Sequence, residues 1–374
     1  MHVVAKWTVL IEGVHSLKPM TSGWRRPSLL PLGLVVVAAV IILAGGTIRI
    51  LDAGESCPDW PKCFGTWTFD VSEEEQLQWW EDNPDATEDT RGAGHTYNEL
   101  EIFSEWVHRL LVGLVAFPIL LNAIWMHRLR DTYGARVRNV AVLAGALLVM
   151  QAGVGALTVV YDNRDWTVAL HLCMATIWTS TLLHQYHAMR MIEGVSWGIF
   201  STSGAFLAKQ RRRTDAFAAA VLVLLALGAW VSSTAPGAQY NQACSIGFPD
   251  GWPACRGQLL PSMDHTGILV QMVHRTGALV VGALLIFGAA RIKTASRKAG
   301  EPLALAGAVD FVGGLWMLNL LVGAGYIVFA DADGFPEGLS LLHLVLGVTA
   351  AVVAISVTMM SRLVPRKDGG GESE

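Results

Sequence analysis

The sequence predicts an all-α integral membrane protein of eight transmembrane helices, arranged as two tandem, pseudo-symmetric four-helix bundles. Three observations predict it. Of 374 residues, 52% are hydrophobic and only 16% charged, with a mean hydropathy of +0.43, whereas soluble domains carry about 25% charged residues. The connections between apolar stretches alternate in the sign of their charge. A set of histidine-bearing motifs occurs twice, in the same order.

A bilayer is crossed by about 20 apolar residues in helical form, and helix is favoured because lipid cannot satisfy backbone polar groups. The first such stretch, roughly 28–50, follows the basic pair Arg25 and Arg26 and closes in GGTIRI. It is read as a retained span, because no small-residue cleavage site follows it. The second, 104–126, carries EWVHRLLVGL; the third, 138–160, holds the small-residue run GVGAL; the fourth, 167–189, opens with ALHLCMATIW. The second half repeats this order. Span 215–234 is followed by 266–290 with QMVHRTGALV, 303–329 with VGAG, and 338–362 opening with LLHLVLGVTA. Small residues let helices approach closely in lipid. Four spans per half keep both halves in one orientation.

One set of connections is basic: Lys18, Arg25 and Arg26; Arg128, Arg130, Arg136 and Arg138; Lys209 and Arg211 to Arg213; Arg291, Lys293, Arg297 and Lys298; Arg366 and Lys367. The alternate connections are acidic or neutral, and residues 51–103 hold fourteen Asp or Glu against Lys62 and Arg91. The positive-inside rule then puts both termini in the cytoplasm and 51–103 outside the inner (plasma) membrane. The expected divisions are a cytoplasmic segment 1–27, an N-terminal half 28–189, a cytoplasmic linker 190–214, a C-terminal half 215–362 and a cytoplasmic tail 363–374. The surroundings are lipid, and no nucleic-acid partner is expected.

This topology places Cys57 and Cys63, in CPDWPKC, and Cys244 and Cys255, in CSIGFPDGWPAC, on the outer, oxidising side. Disulfides persist there, and no nearby histidine completes a zinc-like spacing, so Cys57–Cys63 and Cys244–Cys255 are the expected pairs. Cys173 falls inside the fourth span and reads as a small buried residue. The outer loops differ in length: His108 follows Cys63 by 45 residues, His274 follows Cys255 by 19. The additional segment, EEEQLQWWEDNPDATEDT, reads as helix or loop on the outer surface, and by composition alone as a solvated face.

His108, His171, His274 and His343 sit just inside the outer ends of their spans, 63 residues apart in the first pair and 69 in the second. A neutral imidazole is a good ligand for haem iron, and two facing imidazoles make a six-coordinate haem. Ionisable residues in a span point to function, and four at repeat-equivalent positions at one depth point to two haem sites. His184 and His187 near the inner end of the fourth span, His127 at an inner boundary, and His95 and His265 in outer loops read as interfacial polar residues.

Glu105 lies three residues before His108, on nearly the same helix face. It reads either as a carboxylate at a helix start, favoured by the dipole, or as a group beside a haem edge that moves protons or stabilises positive charge. The matching residue of the second half is Gln271, so one half is expected to do chemistry and the other to hold a cofactor. Arg109 and Arg275, each following a histidine, suit haem propionates or snorkelling to the interface equally.

GGTIRI, CPDWPKC, the E-x-x-H-R of residues 105–109, the second cysteine pair and the four histidines together resemble the haem A synthase family, over approximately residues 30–360. The outer segment from Glu73 to Glu105 is similar to the longer first loop of its mitochondrial and proteobacterial branch. The eleven-residue spacing of the second cysteine pair is wider than the family's, and the first 25 residues lie outside the resemblance. The resemblance implies that His108 and His171 take the substrate, haem O, with Glu105 as the catalytic carboxylate. His274 and His343 would be the axial ligands of a permanent haem b that passes electrons. The reaction implied is oxidation of the C8 methyl of haem O to a formyl group by successive hydroxylations. Implied partners are a haem O synthase and the terminal oxidase under assembly, with the electron acceptor and any homo-oligomer left open. Cys57–Cys63 would be either redox-active, helping haem transfer, or a structural staple.

A di-haem membrane cytochrome b that only carries electrons also explains four histidines, but calls neither for Glu105 in one half nor for two outer cysteine pairs. A transporter would use broken helices and midplane charges, which the spans lack.

Overall fold

The computed structural model describes residues 26–84, 86, 95–161, 163–232, 240–331 and 334–366. Among them are nine α-helices: α1 Leu29–Ile50, α2 Glu73–Asp82, α3 Glu99–Arg128, α4 Arg130–Val160, α5 Asp165–Ile192, α6 Gly204–Val231, α7 Thr266–Ala299, α8 Ala304–Val328 and α9 Glu337–Ser361. All but α2 are long and apolar enough to cross a membrane. The chain is an all-α, multi-pass membrane protein. The expected N-terminal segment lies almost wholly outside the described residues, as does most of the tail.

Within each half, successive spans are neighbours and the fourth returns to the first: α1 on α3, α3 on α4, α4 on α5 and α5 on α1, then α6 on α7, α7 on α8, α8 on α9 and α9 on α6. The halves meet through their first and fourth spans, where α5 packs on α6 and α9, and α1 on α9. Gly46 of α1 makes this approach possible, since a Cβ there would lie 3.1 Å from the Leu344 side chain and 3.2 Å from that of Leu341.

Several helices run past the apolar stretches that announced them. α3 begins at Glu99 because Asn98 caps it: the Asn98 side chain accepts from Glu101 N at 3.1 Å, and the Glu101 carboxylate accepts from Asn98 N at 2.8 Å. Such a box satisfies backbone donors that would otherwise be unpaired. The stretch 190–214, expected to join the halves, is partly helical. α5 continues to Ile192 and α6 starts at Gly204, capped by Ser203. Its basic first turns, KQRRR, are good helix formers, and water outside the bilayer solvates their charges, so polarity does not end the helix.

The acidic outer segment is also more than a solvated face over its described part. Ser72 and Glu75 form a capping box that starts α2, and these bonds hold the Glu75 carboxyl below its usual range. Gln76 is buried, donating to the Val71 and Tyr97 carbonyls at 3.2 and 3.0 Å and accepting from Tyr97 N at 2.8 Å. Trp79 packs edge-on against Phe64, so α2 is docked on the first cysteine loop.

At the opposite end of the first half, Glu193 ties three elements together. It accepts from Ser28 Oγ at 2.9 Å, Arg190 at 2.7 Å and Tyr133 Oη at 3.0 Å. The second half uses Asp215, which accepts from Thr358 and, at 2.7 Å, from Arg362.

Candidate functional site

The four histidines stand 9, 6, 8 and 6 residues inside the starts of α3, α5, α7 and α9, or about 9–14 Å deep at 1.5 Å per residue. Each ring rests against a glycine of the preceding span. A Cβ on Gly45, Gly155, Gly228 or Gly323 would lie 3.1, 3.0, 3.1 and 2.7 Å from Cε1 of His108, His171, His274 and His343 respectively. No real Cβ fits at the closest of these distances, so glycine is what lets the Cε1 side of the ring approach the neighbouring helix. Gly155 and Gly323 belong to the small-residue runs visible in the sequence and Gly45 opens GGTIRI, although the sequence did not show it as a seat for His108; Gly228 was missed. Their signal is a glycine near the outer end of each first span.

All four histidines line one continuous cavity of about 1800 Å³. Single ligand pockets usually measure about 300–1,000 Å³, so this volume suits two large groups rather than one. The His274 and His343 ring centres are 6.4 Å apart with planes at 83°. An iron between two nitrogens at about 2 Å each, with about 1 Å more to each ring centre, needs about 6 Å. His343 Nδ1 lies 3.1 Å from the Asn319 carbonyl, which keeps the proton on Nδ1 and leaves Nε2 bare for a metal. Among the described residues no third histidine, cysteine or carboxylate joins either pair into a bare-ion site. Paired imidazoles in an apolar cavity fit a haem, which brings its own equatorial donors.

Glu105 lines the cavity and is buried, 4% exposed. It lies beyond the first turn of α3, so the helix start does not account for it. The carboxylate is ion-paired with Arg109 and accepts from Ser56 Oγ at 3.2 Å. In the second half Gln271 fills the matching place, accepting from Arg275 at 3.2 Å and donating to the Tyr240 and Asn241 carbonyls at 3.0 and 3.2 Å. The arginine partner is the same in both halves, but Glu105 meets a hydroxyl donor where Gln271 meets two carbonyl acceptors, and the acid is in the first half only.

The arginines latch the cysteine loops. Arg109 donates to the carbonyls of Asp59, of Lys62 at 3.1 Å and of Cys57 at 2.7 Å. Arg275 donates to those of Gly251 at 2.8 Å and Ala254 at 2.9 Å. Asp59 and Gly251 each precede the Trp of a W-P-x-C sequence, and Lys62 and Ala254 each precede its cysteine, so the two latches are the same interaction made twice. Cys57–Cys63 and Cys244–Cys255 are bonded. After each second cysteine the chain turns back through Phe64-Gly65 and Arg256-Gly257, all four at positive φ. That is the primed hairpin turn in which glycine is preferred at the second place. The repeat WPKC/WPAC was the sequence signal for this. Trp60 and Trp67 from one loop, and Trp252 and Leu259 from the other, line the mouth of the cavity.

His184 and His187 are half-buried, each with a buried Nδ1 lacking a hydrogen bond. His265 caps α7 by accepting from Gly267 N at 3.1 Å, and His95 stacks edge-on against Tyr97. Cys173 is unpaired and half-buried.

Because Arg109 holds three loop carbonyls independently, removing the first disulfide should not release the loop. Closing a loop of this size contributes roughly 2 kcal/mol in the chain-entropy view. The double substitution Cys57→Ser with Cys63→Ser is expected to lower thermal stability modestly and leave the assembled fold intact. Thermal unfolding in detergent checks this, and failure to assemble would contradict it.

Residues 29–355 match the model of the family described as cytochrome oxidase assembly protein, COX15-CtaA. Similar proteins named heme A synthase include one from Symbiobacterium thermophilum, 28% identical over 341 residues, covering 87% of this chain and 97% of its own. Another, from Rhodopseudomonas palustris strain BisB5, is 27% identical over 368 residues, covering 91% and 92%. A third, from Shouchella clausii, is 24% identical over 262 residues, covering 68% and 73%.

Proposed function

The chain belongs to the cytochrome oxidase assembly protein family, and from that membership we propose that it is a haem A synthase, a membrane oxidoreductase that converts haem O to haem A. The observation that carries the reading is the one-sided carboxylate. Both halves hold a histidine pair, ring-seating glycines and an arginine latch, but only the first places an acid, Glu105, where the second has Gln271. A pure electron carrier has no use for that difference.

In this reading His108 and His171 hold the substrate haem O by its iron, and the C8 methyl is oxidised to a formyl group. His274 and His343 would hold a haem b, which would supply a one-electron redox couple for this oxidation. Glu105, three residues from His108 and walled from bulk water, stabilises positive charge developing on the substrate and can accept one proton at a time. A preorganised charge in a low-dielectric site is worth far more than the same charge in water. Arg109 keeps the carboxylate in place and ties it to the Cys57–Cys63 loop, while the loop tryptophans cover the substrate from outside. Charge alternation puts both termini in the cytoplasm and the cavity mouth on the outer side of the inner membrane. A haem O synthase upstream and the assembling oxidase downstream are the partners this chemistry calls for.

Extraction of haems from the purified protein tests the reading. A synthase should carry haem b together with some haem O or haem A; haem b alone, under conditions where haem O is made, would favour the di-haem carrier.

The ring-seating glycines give a separate prediction. Gly228→Leu should displace His274 and deplete haem b, whereas Gly45→Leu should displace His108 and leave haem b bound. Haem quantitation and the optical spectrum of each variant decide it; equal haem b loss in both would contradict the assignment.

A further inference from the structure

The residue before the first cysteine of each loop differs between the halves: Ser56 precedes Cys57, and Ala243 precedes Cys244. The backbone around it is the same. Ser56 N donates to the Ala53 carbonyl at 3.1 Å, and Ala243 N to the Tyr240 carbonyl at 3.2 Å, three residues back in each case. Both residues are buried, Ser56 completely. What differs is the side chain that meets this turn from the second span of the half. Gln271 donates its amide to the Tyr240 and Asn241 carbonyls, and Ala243 brings no polar side-chain atom.

Glu105 cannot act as Gln271 does, because an ionised carboxylate has no hydrogen to give. The donor on this side is Ser56. Its Oγ lies 2.8 Å from the Ala53 carbonyl oxygen, 3.1 Å from that of Glu101 and 3.2 Å from Glu105 Oε2. One hydroxyl hydrogen faces three acceptors, and two of them have donors already. Ala53 has Ser56 N, and the Glu101 carbonyl accepts from Ser104 Oγ at 2.8 Å. The third is the charged one, and a hydrogen bond to an ionised acceptor is the stronger kind. The hydroxyl hydrogen is therefore directed to Glu105. Arg109 donates to the other oxygen, Oε1, so separate donors on the two oxygens fix the plane of the carboxylate.

We propose that Ser56 is a positioning residue for the oxidation, holding the Glu105 carboxylate in the orientation from which it acts on the substrate. Serine and acid occur together in the first half, alanine and amide together in the second. The inference rests on the haem A synthase reading, which gives Glu105 its task.

The test uses the full-length protein with its resident haem b, in native membranes supplied with haem O. Ser56→Ala and Ser56→Gly both remove the hydroxyl, and Ala243 shows that this turn forms without one. Either variant should lower the maximal rate of haem A formation by about tenfold or more, the scale for losing a hydrogen bond to a charged group. The KM for haem O and the haem b content should not change. Ser56→Ala combined with Glu105→Gln should be no slower than Glu105→Gln alone, because Ser56 acts through the carboxylate. Having two single variants keeps the test decisive if one fails to fold. An unchanged rate, or a fall matched by loss of haem O affinity or of haem b, overturns the role of Ser56 alone. So does a combined variant well below Glu105→Gln. Absence of haem A from the unaltered chain under the same conditions overturns the functional reading beneath it.

Discussion

Replacing His274 or His343 with alanine is expected to strip the resident haem b, while replacing His108 or His171 stops product formation and leaves most haem b bound. The separation follows from the packing. Each histidine pair is seated on glycines of its own half, His108 on Gly45 and His171 on Gly155, His274 on Gly228 and His343 on Gly323. Loss of one ring therefore leaves the other pair's supports in place. Removing an axial ligand should cost at least the 10–100-fold typical of disturbing even an outer-sphere partner, so haem b content in the second-half variants should fall to about a tenth of normal or less. Pyridine haemochrome spectra of the four purified variants measure this. Equal haem b loss from all four would end the division of labour between the halves.

Glu105→Gln should keep the fold and its haem yet reduce haem A formation by about 10²–10³-fold, the scale for removing one preorganised charge-stabilising group. The molecule itself contains the structural control. At the matching place Gln271 accepts from Arg275, and Arg275 still holds the Gly251 and Ala254 carbonyls. A glutamine at 105 keeps Arg109 as a donor to its oxygen but lacks the two carbonyls to which Gln271 donates, so bound haem is the check that the site survives the loss of charge. The variant does leave the buried Arg109 without a counter-charge, which carries a cost, but Arg275 already sits beside a neutral amide. Haem analysis of cells making the variant is the measurement. Near-normal haem A would show that Glu105 is structural.

The sequence disclosed the parts of this molecule that repeat in residue type. Long apolar stretches and alternating loop charge predicted all eight spans, because lipid admits little else. His108, His171, His274 and His343 were visible because an imidazole in a span is rare, and the cysteine pairs because both lie in outer loops. What stayed hidden depends on contacts between distant residues. Gly45 and Gly228 look like any helix glycine until a histidine 63 or 46 residues away is seen to lie on them. Arg109 and Arg275 were read as propionate or interface groups, whereas their donors face loop carbonyls; that needed the position of the W-P-x-C turns. The helical extension of α6 through KQRRR was missed because a span was judged by apolarity, and a helix entering water has no reason to stop where apolarity does.

The central claim is that this chain turns haem O into haem A in its first half. It is tested most directly by co-expressing the chain with a haem O synthase in a host that makes no haem A, beside the Glu105→Gln variant, and identifying the extracted haems by mass and spectrum. The account predicts haem A with the unaltered chain, and haem O with little haem A for the variant, haem b being present in both. Haem O and haem b without haem A from the unaltered chain, correctly inserted and haem-loaded, would contradict it.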